Sequence, residues 1–257
     1  MDNHLWPWPG IAFEAATARG LKPRVLPTGL APSITRTNAA GRARARPASI
    51  DPNRAHRPMH DAPSPTHTHV AFLALASEGG VGLLALFLSW LLGYPLHDAL
   101  RWETAAWVWG TLAVVPLLGI MAMVLWAPWP PFRRLVAALD ELVIPLFRTC
   151  NLADLALISA LAGLGEEMLF RGVIQRVLAD LGGESIGPWL GLVAASLLFG
   201  LAHAITRAYV GMSAIIGAYL GLLWMATENL LVPIVAHALY DFLALVYLVR
   251  IRNAPTS

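Results

Sequence analysis

The sequence predicts an all-α polytopic integral membrane protein, with about six transmembrane helices, one interfacial amphipathic helix and a disordered N-terminal tail. Three observations predict it. Of 257 residues, 57% are hydrophobic and only 13% are charged, against about 25% charged in a soluble domain. The mean hydropathy is +0.59. The apolar runs are continuous and about twenty residues long, enough to cross about 30 Å of hydrocarbon, whereas a barrel strand alternates over about ten. Too few polar groups remain to coat a water-facing surface, which excludes a cytosolic enzyme and a nucleic-acid-binding chain.

Residues 1–69 form the expected tail. They hold ten of the 19 prolines, nine of the 18 Lys and Arg, and four of the 16 acids, with no apolar periodicity. Such a stretch buries too little to offset its ordering entropy. The tail carries a charge of +5 and the remainder −3, so the sequence pI near 9.0 is a property of the tail and not a nucleic-acid footprint. No h-region marks a signal peptide. Met59 opens a natural short start before the first span, and part of 1–58 is expected to be an upstream extension of the reading frame.

The expected spans are 70–93, 105–127, 154–176, 187–204, 209–227 and 230–249. The first two make an N-terminal pair, 70–127. In 128–149, Arg133, Arg134, Asp140 and Glu141 alternate with Leu and Val at helical spacing, the pattern of an amphipathic helix lying in the interface. Residues 150–249 hold the remaining four spans, and 250–257 a short tail. Trp102, Trp126, Trp129 and Trp189 fall at span ends, where an aromatic belt is expected. With the N-terminus inside, Arg133, Arg134, Arg148, Arg207, Arg250 and Arg252 also fall inside, so both termini are expected in the cytoplasm. The lone Cys150 excludes a disulfide framework and a cysteine zinc site.

Ionisable residues within spans are expensive and mark functional sites by default. They are Glu78, Glu166, Glu167, Arg171, His203, His237 and Asp241. Glu167 and Arg171 are four apart and can pair on one helix face, which leaves Glu166 pointing elsewhere. A turn near Gly182–Glu184 places Glu166 and His203 at similar depth on antiparallel helices. His237 and Asp241 share a face, either as a hydrogen bond stitching the last helix in place or as a half-site in which imidazole donates to an oxyanion and carboxylate orients it. The role of Glu78 stays open. Together these groups can activate a water: a buried carboxylate takes the proton, one histidine shares it, and the other stabilises the tetrahedral oxyanion. Zinc is the other option, since Glu and His both bind it. No HExxH helix and no serine or aspartic intramembrane-protease signature is present.

The motifs EEMLFRG (166–172), FGLAH (199–203) and HALYD (237–241), in that order on separate spans, resemble the CPBP intramembrane proteases, which comprise CAAX-prenyl endopeptidases and bacteriocin-processing Abi enzymes. The resemblance covers roughly 150–249. It implies an intramembrane endopeptidase with a polar cavity inside the membrane, in which Glu166 and His203 activate the water. It places Glu167 and Arg171 in the second Glu and Arg positions, Arg171 anchoring the pair, with Phe199 in support and His237 and residue 241 on the oxyanion side. The sequence departs from the Asn-bearing branch at Asp241, which only accepts hydrogen bonds when ionised. No cofactor is required in this reading; were zinc used, Glu166, His203 and His237 would hold it. The implied partners are a peptide or membrane-anchored protein and the lipid bilayer, without nucleic acid, in a bacterial inner membrane. A non-catalytic membrane protein of the same fold, in immunity or scaffolding, and a proton or solute transporter are the alternatives.

Overall fold

The computed structural model describes residues 67–252. The expected disorder of the tail, the Met59 start and the last five residues lie outside them. Among the described residues there is no strand. Ten α-helices follow one another: α1 His67–Leu92, α2 Leu96–Ala99, α3 Thr104–Leu112, α4 Val114–Trp126, α5 Pro130–Ala138, α6 Ile144–Phe147, α7 Leu152–Glu167, α8 Arg176–Ala202, α9 Arg207–Thr227 and α10 Leu231–Val246. Three π-helical stretches, Leu139–Val143, Met168–Gln175 and Tyr247–Arg252, join or extend them.

Five stretches among the described residues are long and apolar enough to cross a membrane: His69–Leu92, Thr104–Trp126, Leu152–Ala202, Arg207–Thr227 and Leu231–Arg252. The third is 51 residues long, about twice what a bilayer needs. It is folded in two. Gly183 adopts φ 71° and ψ 180°, a left-handed φ that glycine tolerates without a Cβ penalty. Around it the arms press together: a Cβ on Gly182 would lie 2.6 Å from the Gly187 Cα, and one on Gly187 would strike the Ala179 carbonyl. The reversal therefore falls where the sequence predicts it, and six apolar arms result. The outer faces carry large exposed apolar side chains such as Phe72, Leu83, Trp90, Val115 and Leu197. A water-facing shell would not; a lipid-facing one does. Trp102, Trp126, Trp129 and Trp189 are all exposed at arm ends.

Without a hydrophobic driving force between helices in lipid, close backbone approach at small residues holds the arms together. A Cβ on Gly163 would meet Ala238 of α10 at 2.7 Å, and one on Gly165 would meet Glu78 O and Gly82 N of α1, each at 3.0 Å. Gly110 sits equally close to Val235. The second span is bent at Ala113, just before Pro116, whose missing N–H leaves a helical carbonyl without a donor. Tyr219 of α9 donates its hydroxyl to Ala113 O at 3.0 Å.

The segment expected as one amphipathic helix is instead α5, a π turn and α6. Pro145, which cannot donate in a helical ladder, sits within α6 just past the π turn. The amphipathic pattern survives in α5, where Phe132 and Leu135 pack on Leu117, Met212 and Leu220 while Arg133 and Arg134 face outward. The arginines sort between two ends. At one, Arg101 donates to Thr227 O (3.1 Å) and Arg176 to Pro95 O (3.3 Å). At the other, Arg250 donates to the carbonyls of Arg148 and Cys150, and Arg252 makes a two-pronged pair with Asp140 at 2.7 and 2.8 Å.

Candidate active site

Asn151 fixes the start of α7. Its Oδ1 accepts from the backbone N–H groups of Ala153 and Asp154 at 2.8 and 3.0 Å, and Asp154 Oδ2 accepts from Asn151 N at 2.8 Å, a reciprocal capping box. The helix runs without interruption to Glu166 and Glu167, then opens into the π stretch Met168–Gln175. Such stretches recur at functional sites because they re-aim side chains. Here two of them reach α9. Arg171 Nη2 donates to Gly217 O at 2.7 Å, and Gln175 Nε2 donates to Gly221 O at 3.3 Å. Both acceptors are glycines. A Cβ on Gly221 would come within 2.8 Å of Gln175 Oε1.

A chain of four charged groups runs outward from this point. Glu167 Oε1 accepts from Arg171 Nη1 at 2.9 Å and from His237 Nδ1 at 2.8 Å. Glu167 and Arg171 are 0% and 1% exposed, so each needs the other: a buried ion left single costs several kcal/mol, on the order of 3–5. His237 Nε2 then faces Asp241 Oδ2 at 3.4 Å. Both ring nitrogens of His237 therefore look at carboxylates. Phe199 packs this chain against the next group. The Arg171 guanidinium lies 4.6 Å from its ring centroid, His203 stacks on it at 4.6 Å, and the His237 ring meets it edge-on at 5.8 Å.

Beside the chain lies a cavity of about 420 Å³ enclosed by α1, α4, α5–α6, α7, α9 and α10. Its wall is mostly apolar, with Leu125, Leu139, Phe147 and Ile216 among the lining residues. Glu166 and His203 face each other in it, Glu166 Oε2 standing 3.6 Å from His203 Nε2. That is beyond a direct hydrogen bond. His203 Nδ1 is 2.8 Å from Phe199 O. A carbonyl only accepts, so Nδ1 carries a proton. In the neutral ring Nε2 is then an acceptor facing Glu166 Oε2, a buried oxygen that itself has no hydrogen-bond partner.

The structure thus brings together Glu166 with His203, and Glu167 with Arg171, as the sequence predicts, and it adds His237 to Glu167, which the sequence does not. Asp241 links the second group to the cavity, and Phe199 contacts both groups. Glu167 and His237 are not themselves in the cavity wall; they stand behind it. Glu78, whose role the sequence leaves open, lines the same cavity from α1. Sequence reasoning missed Ser159, Tyr209 and Tyr240 in the wall and Gln175 in the π stretch. Two had a signal: Ser159 precedes Glu166 by seven residues and Gln175 follows Arg171 by four, both same-face spacings. Of the three residues that would hold zinc were it used, Glu166 and His203 line the cavity, and His237 turns its two ring nitrogens to Glu167 and Asp241. Among the described residues no three His, Cys, Asp or Glu side chains group as a metal site.

Residues 148–243 match the family model of the Rce1-like type II CAAX prenyl endopeptidases. The match covers a little over a third of the chain and contains all three motifs and the four-residue charged chain. The match supports an intramembrane endopeptidase at the family level and is consistent with the CPBP resemblance. No curated protein and no solved structure matches the chain.

Proposed function

We propose that this chain, with its Rce1-like segment at 148–243, hydrolyses a peptide bond inside the membrane with a water activated by Glu166 and His203. The observation that carries the proposal is the facing pair itself, Glu166 Oε2 and His203 Nε2, 3.6 Å apart in the wall of a cavity large enough for a peptide segment. A water donating to both acceptors loses a proton to Glu166 as its oxygen adds to the scissile carbonyl carbon. The carbonyl becomes an oxyanion, and the donor assigned to it is the Nε2–H of His237, which stands behind the wall and faces the cavity-lining Asp241 at 3.4 Å. The proton then passes from Glu166, with His203 as relay, to the amide nitrogen. The C–N bond breaks, leaving a carboxylic acid and an amine, and the acid's proton then passes to the amine or to solvent. Each role is an ordinary general acid–base or oxyanion function.

The rest of the charged chain positions the donor. Glu167 holds His237 through Nδ1, so Nε2 points toward Asp241 and the cavity. Asp241, when ionised, only accepts and so competes with the oxyanion for that proton, whereas an Asn there could itself donate to the oxyanion. Arg171 neutralises Glu167 and ties α7 to α9 through Gly217 O. No step in this scheme uses a metal ion. The Arg-rich end, with Arg133, Arg134, Arg148, Arg207, Arg250 and Arg252, faces the cytoplasm in this reading. The cavity then lies in the cytoplasmic half, where Phe147, Ile205 and Leu248 line it.

The test uses purified full-length protein and hydrophobic peptides with a quenched fluorophore. Glu166→Gln and His203→Ala are expected to lower cleavage at least a hundredfold, the usual weight of a general acid–base group, while thermal unfolding in detergent stays unchanged. Full activity in either variant refutes the assignment. Activity is also expected to survive strong chelation; loss on chelation with recovery on added zinc overturns the metal-free mechanism.

A further inference from the structure

The stretch from α5 to α6 forms one wall of the cavity and lies outside the segment that matches the family model. Leu135 from α5, Leu139 and Val143 from the π turn and Phe147 from α6 all line the cavity. The two ends of this stretch are anchored. Phe132 and Leu135 are 8% and 2% exposed and pack on Leu117, Met212 and Leu220. Phe147 packs on Val70, Cys150 and Leu155. The middle is not anchored in this way. Between Leu135 and Ile144 no residue is buried, and Leu142 is 58% exposed. The backbone is interrupted there as well: the π turn Leu139–Val143 is followed by Pro145, which withholds an N–H from the ladder. Few buried contacts and an interrupted ladder mark a segment that opens at low cost.

A second, independent observation shows what holds the middle down. Asp140, in the π turn, accepts from Nη1 and Nη2 of Arg252 at 2.7 and 2.8 Å. Arg252 belongs to the stretch that extends α10, and Leu248 of that stretch lines the same cavity. Arg250, two residues before Arg252, donates to the carbonyls of Arg148 and Cys150 just past α6. The end of the last span therefore clasps the α5–α6 stretch at two points. The Asp140 and Arg252 side chains are 38% and 28% exposed, so water and salt screen the pair. An exposed ion pair shifts an equilibrium by at most about fivefold. It is a fastening that can be undone, unlike the buried pair of Glu167 and Arg171. In the orientation proposed above it stands at the cytoplasmic end, where a peptide from the aqueous side meets the cavity.

Resting on the peptidase reading, we propose that Leu139–Val143 is a strap across the cytoplasmic entrance of the cavity, latched by Asp140 and Arg252, and that peptides enter when the latch opens. A binding-competent state that is populated only in part weakens apparent affinity by that fraction, so loosening the latch tightens binding and leaves the chemistry alone. Asp140→Asn and Arg252→Gln are each expected to lower KM about two- to fivefold, with kcat unchanged. Asp140→Arg/Arg252→Asp, which rebuilds the pair in reverse, is expected to return KM to the wild-type value. Arg133→Gln removes an exposed charge from the anchored α5 and should leave KM as it is. A KM that neither Asp140→Asn nor Arg252→Gln lowers overturns the strap as the route of entry. The same equilibrium can be read without peptide cleavage. Ala162 lines the cavity on α7 and is 7% exposed, and Cys150, the one native cysteine, is fully buried. In full-length Ala162→Cys protein, the new thiol is expected to react with a water-soluble maleimide about two- to fivefold faster once Asp140→Asn or Arg252→Gln is added, and at the parent rate with the reversed pair. Added salt should quicken labelling of the parent and not of the unlatched variants. One labelling rate in all these proteins overturns the strap even where peptides are cut. Faster labelling of the unlatched variants supports it even where no peptide is cut, and in that case the peptidase reading alone fails.

Discussion

Arg171 shows how few alternatives a charge has inside this protein. Its guanidinium is 1% exposed, donates to Glu167 and Gly217 O, and stacks on Phe199. Replacing it with methionine keeps the stem but leaves Glu167 without its permanent countercharge. Arg171→Met is expected to cost about 3–5 kcal/mol, read as a fall in the thermal unfolding midpoint in detergent. Arg171→Lys should recover part of that, because an ammonium restores the charge but not the fork that reaches two acceptors at once. A wild-type midpoint for Arg171→Met would mean that His237 alone can balance Glu167. The Glu167–Arg171 pair was readable from the i, i+4 spacing. The third member, His237, lies 70 residues away from Glu167, and no local pattern could assign it to that carboxylate rather than to Asp241.

At the scale of elements, the placement of α1 is decided by glycines. Gly165 and Gly82 let α1 touch α7 backbone to backbone, and this contact carries Glu78 into the cavity. Gly165→Leu would put a side chain where Glu78 O and Gly82 N stand 3.0 Å from its Cβ. It is expected to cost about 1–3 kcal/mol by overpacking. Gly80 is the control: nothing lies within 4 Å of its Cβ position, so Gly80→Ala should be neutral or stabilising by up to about 1 kcal/mol. Equal midpoints for the two variants would refute the close-packing account. The helix interruptions were unevenly readable. Gly182–Gly183 announced a reversal through local chemistry. The π stretch Met168–Gln175 has no such announcement, since Gly172 is its only helix-breaking residue, and within it Arg171 and Gln175 reach the Gly217 and Gly221 carbonyls.

For the whole molecule, the two ends differ in charge and the cavity lies toward the arginine-rich one. Cys150 is fully buried, so single engineered cysteines can be read against a quiet background. Glu103→Cys, at the Arg101 end, is expected to react with a membrane-impermeant maleimide added to intact cells, and Arg133→Cys only after permeabilisation. The reverse pattern overturns the orientation and moves the cavity to the other half of the membrane.

The amino-acid sequence by itself determined the solvent of this protein. A chain with 13% charged residues and twenty-residue apolar runs folds in lipid, and a helix is the structure that satisfies its backbone there. It also singled out the charged residues of the site, because in lipid a charge without a purpose is too expensive to keep. Tertiary structure alone decided how they divide: Glu166 and His203 in the cavity wall, Glu167 and His237 behind it, and Glu78 brought in from a distant helix. The physical reason is one of range. Burial penalties act on each residue where it stands in the sequence, whereas a partner is chosen by packing between helices that the sequence order does not specify.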